Sequence, residues 1–218
     1  MSQAVQTDPV AWYDQHAARQ AETYDAIPPL LCHGWLADVL PKPPGVVIDI
    51  GAGSGRDADA FARAGFEVVA VEPSAGMRAE AERRHPSARV HWLSDRLPGL
   101  TATLRAAVAA DVICLNAVWH HVSPTDRHRA FRKLVGLLRS GGLLVMTLRH
   151  GPDDGRGDYP VSIAEIEAPA RGHGLQVSRT ESSPDPQGRA GVSWTNVVLR
   201  LPDEGTGAAI RLRGIEFG

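Results

Sequence analysis

Three groups of side chains have the types and spacing to do chemistry. Asp49 precedes three glycines, Gly51, Gly53 and Gly55, in the stretch DIGAGSGRD. Glu72 ends the apolar run that follows, and His120 and His121 stand side by side after a later one. Glycines let a backbone pass close to a ligand with no Cβ in the way. A carboxylate at position 72 can accept hydrogen bonds from two ribose hydroxyls, and charged acceptors make the stronger bonds. An imidazole can take a proton near neutral pH. The glycines read GxGxG. The dinucleotide fingerprint is GxGxxG, and its third glycine would fall at Arg56. That glycine allows tight helix packing beside a bound pyrophosphate. A GxGxG turn with Asp49 before it suits a ligand without phosphates.

These residues need a scaffold that brings them to one edge. Val46–Ile50 is a continuous apolar run, as in a strand buried on both faces. Apolar runs then alternate with helical stretches. The strands predicted are Glu67–Val71, Arg89–Leu93, Asp111–Asn116 and Leu143–Leu148. The helices between them are Asp57–Ala64, Ser74–Arg84, Thr101–Ala109 and Ser123–Leu138, the last ended by Ser140-Gly141-Gly142. Such alternation implies right-handed crossovers and a parallel sheet covered by helices on both faces. Ahead of it, Asp8–Tyr24 reads as a helix, with Asp8 to cap it and Pro9 at its first position. A second helix is predicted over Leu30–Leu40, before the rigid connector PKPPG. After it come a polar loop, HGPDDGRGDYP, a helix over Ser162–His173, and a hairpin of Leu175–Ser182 with Val192–Leu201. The division expected is an N-terminal helical lid (1–44), a ligand-binding core (45–201) and a tail (202–218) with no assigned role.

The bulk composition narrows the partners. The chain has 218 residues, 43% hydrophobic and 22% charged, enough for one domain with a real core. A net charge of -2 gives no electrostatic reason to expect nucleic acid or an anionic membrane. Only two cysteines, Cys32 and Cys114, argue against a disulfide scaffold and for a reducing cytoplasm. The opening residues lack the pattern of a signal peptide, and no run approaches the ~18 apolar residues of a membrane span. A cytoplasmic location is expected.

In order and spacing, residues 46–148 resemble the class I S-adenosylmethionine-dependent methyltransferases. VVIDIGAGSG is similar to their first motif, and VVAVEPS to the acidic end of their second strand. HWLSDRLPGL is similar to the segment that meets adenine, and ADVICLNAVWHHV and LLRSGGLLVMTL to the fourth- and fifth-strand motifs. The opening WYDQHAARQAETYD and the WHHV segment look most like the small-molecule and tellurite-resistance type. The resemblance implies a Rossmann-like three-layer α/β sandwich: a seven-stranded, mostly parallel sheet whose last strand is antiparallel. It implies S-adenosyl-L-methionine as cofactor and S-adenosyl-L-homocysteine as product. Gly51, Ala52, Gly53 and Gly55 would line the methionine part, with Asp49 before them. Glu72 would hold the ribose, and Pro73 and Met77 would pack on adenine. Ser94, Asp95 and Arg96 would sit at the adenine edge. Asn116 and Ala117 would lie near the sulfonium, and Tyr24 would reach the cofactor carboxylate.

Methyl transfer from a sulfonium is an in-line displacement, so the protein must chiefly align the reactants and exclude water. A base is needed only where the acceptor must lose a proton, and His120 and His121 are the candidates. Adjacent residues seldom point the same way, so at most one of them is expected to face the acceptor. Trp119, Arg149, His150 and Tyr159 are expected to wall a small-molecule acceptor pocket. No metal site is expected. Arg156 and Arg189 could bind an acidic acceptor. Plain structural roles stand beside these readings: Asp95 as a turn residue before Pro98, Tyr24 as a half-buried aromatic, and Arg156 and Arg189 as solvated loop charges, the stronger reading for those two. Other classes also remain open. A nicotinamide oxidoreductase lacks support, since Tyr13, Tyr24 and Tyr159 have no lysine four residues on. A binding protein that keeps the cofactor pocket without catalysis is the other alternative. Nothing in the sequence sets an oligomeric state.

Overall fold

The computed structural model describes residues 8–30, 33–153 and 155–203. Asp8 caps the first helix by accepting from the N–H of Val10, with Pro9 at the first position, and α1 spans Pro9–Asp25. The second helix is far shorter than predicted: α2 covers Gly34–Ala37 only. Cys32 and the tail from 204 onward lie outside the described residues.

The alternating pattern then appears as read. Strand β1 (Val46–Ile50) leads to α3 (Arg56–Arg63), β2 (Glu67–Val71), α4 (Ala75–Arg84) and β3 (Val90–Leu93). Then come α5 (Thr101–Arg105), β4 (Ala110–Asn116), α6 (Arg127–Leu137), β5 (Leu138–His150), α7 (Ala164–Gly172), β6 (Gln176–Pro184) and β7 (Ser193–Arg200). The seven strands lie in the order β3-β2-β1-β4-β5-β7-β6. The first five run parallel, and β7 is antiparallel to both β5 and β6. This is the seven-stranded Rossmann-like sheet that the sequence implied.

Three boundaries differ, each for a local reason. Helix α5 stops early because Ala107 turns to a positive φ of 51°. Helix α6 starts only at Arg127, because Ser123–Asp126 forms a turn with the Ser123 hydroxyl donating to the Asp126 carboxylate. Ser140-Gly141-Gly142 lies inside β5 rather than before it. There the ladder skips from Leu138 opposite Ala110 to Leu143 opposite Val112. A Cβ on Gly142 would come within 2.8 Å of the Arg139 carbonyl oxygen, so the kink requires glycine.

Both sheet faces are covered. Phe131 and Leu134 of α6 and Ile166 of α7 pack on one side, and Ala58, Phe61 and Ala62 of α3 on the other. Helix α1 instead lies on α4, where Ala17 and Ala21 bury Met77. One carboxylate pins the two helices. Asp14 accepts from the Ser74 hydroxyl at 2.6 Å and from the Gly76 N–H at 2.9 Å. The same Ser74 oxygen caps α4 by accepting from the Met77 N–H. Asp14→Ala should therefore loosen α1 before the sheet. Hydrogen exchange of α1 amides should speed up severalfold, for about 1 kcal/mol lost, with β1 and β4 amides unchanged.

Candidate functional site

The parallel strands end together at one edge, where open α/β sheets place ligands. Along that edge runs a cavity of about 800 Å³. The turn after β1 forms its floor. Gly51, Gly53 and Gly55 have φ of 70°, 56° and 79°, which favours glycine at each. A Cβ on Gly51 would lie 2.5 Å from a Val118 methyl. Gly51, Ala52 and Gly53 line the cavity, but Gly55 does not. Gly55 is the N-cap of α3, and a Cβ there would press on Ala81 and Trp92. It serves helix packing, the job that the dinucleotide fingerprint gives to a glycine one place later.

Glu72, 6% exposed, joins this turn to the next. One carboxylate oxygen accepts from the Gly53 N–H at 3.0 Å, the other from the Ser74 N–H at 2.8 Å. Burial raises its pKa, and the two N–H donors partly offset that. Asp49 is 2% exposed, and one of its oxygens has no hydrogen-bond partner. Burial, with the Asp57 carboxylate beside it, lifts its pKa well above the usual carboxylate range. Asp57 was not singled out in the sequence. It accepts from Arg56, from the Leu30 N–H and from the Asn116 amide. Asn116 in turn accepts from Thr147, whose hydroxyl also receives the Ala117 N–H at 2.8 Å. That bond holds Ala117 at a φ of 61°.

Pro73, Met77, Asp95 and Arg96 line the same end of the cavity. Asp95 also starts α5, accepting from both the N–H and the hydroxyl of Thr103. Ser94 is exposed and outside the cavity, so the expectation for it fails.

The other end holds the histidines. Trp119, His120 and His121 form a single 3-10 turn after β4. Both histidines lie beside the same group, Asp158, with their ring centroids 4.2 Å apart. The Nδ1 of His121 is 3.1 Å from Asp158, and the Nε2 of His120 is 3.7 Å away. Arg149 reaches the second Asp158 oxygen at 3.2 Å. Burial, then the neighbouring His121, hold His120 well below its ordinary pKa. Tyr159 lines the cavity and its N–H donates to the His120 carbonyl. Tyr24 also lines it, from α1.

Two other expectations for this end fail. Trp119 is 1% exposed and turns into the core against Phe131. His150 bonds to Thr195 across β7 and does not line the cavity. Arg156 is buried rather than solvated. It donates to the Tyr13 hydroxyl at 2.8 Å and to that of Tyr24 at 3.3 Å. Two residues, Tyr13 and Asp158, went unrecognised. Their only signal was place: an aromatic-rich first helix and a long polar loop after the fifth strand.

The comparisons with known proteins agree with this fold. Residues 48–146 match the model of a methyltransferase domain family. An uncharacterized methyltransferase of Alkaliphilus oremlandii is 28% identical over 108 residues, 48% of this chain and 46% of that protein. The chain thus spans about half the length of the curated relative it matches. Among solved structures, a Burkholderia thailandensis 1,6-didemethyltoxoflavin N1-methyltransferase, with bound S-adenosylhomocysteine, superposes at a TM-score of 0.59 and 21% identity. That match covers 88% of this chain and 81% of the other. The magnesium protoporphyrin IX methyltransferase of Synechocystis, with bound S-adenosylmethionine, gives 0.60 and 17%, covering 92% and 86%. The sheet order, the glycine turn and these matches define a methyltransferase domain. Residues 48–146 thus match a methyltransferase domain, and the fold is shared with solved S-adenosylmethionine-dependent methyltransferases.

Two measurements test the geometry. Gly51→Ala should destabilise the fold by about 2–4 kcal/mol, combining left-handed strain with a clash against Val118; a urea midpoint reads this directly. At His120 the native state binds fewer protons than the unfolded chain. Its contribution to stability is complete above the ordinary value of 6.5 and is lost as the pH falls below it. The drop in melting temperature between pH 7.5 and 5.5 should be smaller in His120→Gln than in the wild type.

Proposed function

We propose that this chain binds S-adenosylmethionine at the glycine-turn end of the cavity and transfers its methyl to a small-molecule acceptor at the histidine end. The observation that carries the reading is the coupling of the glycine turn to the buried Glu72 carboxylate, beside Asp49 with its unpartnered oxygen. The donor set fits the group. Glu72 and Asp49 offer acceptors for hydroxyls and an ammonium, Met77 and Pro73 an apolar wall for a base, and Asp95 an acceptor at its edge. These roles, with those of Gly51, Ala52, Gly53, Arg96, Asn116, Ala117 and Tyr24, are part of the proposal. So is the role of residues 1–44 as a lid. Bound there, the sulfonium supplies an activated methyl group.

The protein's own work is then alignment and proton handling. The Asp158 carboxylate lies 3.1 Å from Nδ1 of His121, out of line for a hydrogen bond at rest, and its charge favours hydrogen on that nitrogen, leaving Nε2 to accept the acceptor's proton. Arg149 steadies Asp158 from its other side. His120, kept neutral by burial, packs beneath and is a support rather than the base. No described helix is long and apolar enough to cross a membrane, and a cytoplasmic place of action agrees with the composition.

Glu72→Ala should cost about 1–3 kcal/mol of S-adenosylmethionine binding by titration calorimetry. Unchanged affinity would move the ribose elsewhere. His121→Ala should lower kcat about 10²- to 10⁴-fold with cofactor affinity kept. Full turnover by that variant would remove the base.

A further inference from the structure

The cavity is lined by groups of both signs. Asp49, Glu72 and Asp95, with Arg56 and Arg96, line the end proposed for a cationic donor, and the guanidinium groups of Arg149 and Arg156 stand at the other, Arg149 against Asp158. An amine acceptor becomes positive as it is methylated, and buried guanidinium groups oppose that charge. At a buried hydroxyl such as Tyr13 burial works against ionisation and Arg156 works for it, so the guanidinium favours an acceptor that loses a proton over one that gains positive charge.

Tyr13 shows what fits. Its hydroxyl lies 3.4 Å from Nε2 of His121, accepts from Arg156 at 2.8 Å, and receives the Tyr24 hydroxyl at 3.2 Å. With two donors pointing at its oxygen, the hydroxyl hydrogen is left for His121. A phenol oxygen thus already sits between the proposed base and a buried cation. The ring carrying it is flanked by the Arg156 guanidinium, 5.9 Å from its centroid. Trp194, opposite Arg149 in the sheet, adds another flat wall to the cavity.

We infer that the acceptor is a hydroxyl on a flat conjugated ring, bound where the Tyr13 hydroxyl now sits, between His121 and Arg156. The inference rests on the methyltransferase reading above. In the reaction the acceptor O–H gives its proton to Nε2 of His121. An oxygen lone pair forms the new bond to the methyl carbon, and the carbon–sulfur pair stays on sulfur as the neutral thioether. His121 later returns the proton to water. Arg156 balances the charge that grows on oxygen, and Tyr13 swings aside with α1 to admit the ring.

The test compares matched probes with the full chain: phenol against aniline, and 1-naphthol against 1-aminonaphthalene, with release of S-adenosylhomocysteine as readout. At least one hydroxyl probe should exceed its amine partner tenfold or more in kcat/KM. Arg156→Gln should lose at least tenfold on that probe, and Arg156→Lys, which keeps the charge, should recover part of it. Both variants should bind S-adenosylmethionine within about twofold of the wild type. Equal or better use of the amines overturns the inference. So does turnover of neither kind by a chain that binds S-adenosylmethionine, or an Arg156→Gln enzyme with full activity. A wild-type chain that gives no heat with S-adenosylmethionine instead fails the methyltransferase reading itself.

Discussion

Glu72 accepts from Gly53 with one oxygen and from Ser74 with the other, and so binds two separate turns to one carboxylate. Ser74 caps α4 and also donates to Asp14 of α1. The floor of the cavity, the helix beside it and the helix over it are therefore linked through three consecutive polar contacts. A carboxylate with 6% exposure costs free energy to bury, and its pKa rises accordingly. The cost is offset by two backbone donors that would otherwise lack partners at the ends of turns. Each oxygen accepts one N–H, and Glu72 lines the cavity.

A second network, parallel to the first, fixes the other wall. Asp57, Asn116 and Thr147 come from α3, β4 and β5, and their bonds set the backbone at Ala117. None of this depends on loops alone. The three groups stand on or beside the buried strands, where side chains are held by packing. The histidine end is built differently, from a 3-10 turn and a polar segment after β5 that bring His121, Asp158 and Arg156 together.

That difference explains what could be read from the sequence. The strands, the glycine turn and Glu72 were legible because periodicity and spacing are local signals. The parallel sheet followed from the alternation of elements, and its antiparallel last strand from the family resemblance. The Asp158 and Arg156 positions were not legible, because a polar loop carries no period and its burial is decided by distant partners. Arg156 looked solvated because its partners, Tyr13 and Tyr24, lie more than a hundred residues away. Trp119 and His150 failed for the same reason in reverse. Each is next to site residues in sequence but turned into the core or across the sheet by the local backbone.

The rim of the sheet also bears on how such a chain behaves in a crowded solution. An open sheet has two bare edges, each a template for another strand. Here one edge is β3, only four residues long. The other, β6, breaks its register between Val177 and Arg179 and ends at Pro184. Arg179 on that strand is also bonded in a fork to Asp38, which ties the edge to the end of α2. A short strand on one side, and a kinked, charged and tethered one on the other, resist edge-to-edge stacking. The fold thereby guards against aggregation by backbone geometry.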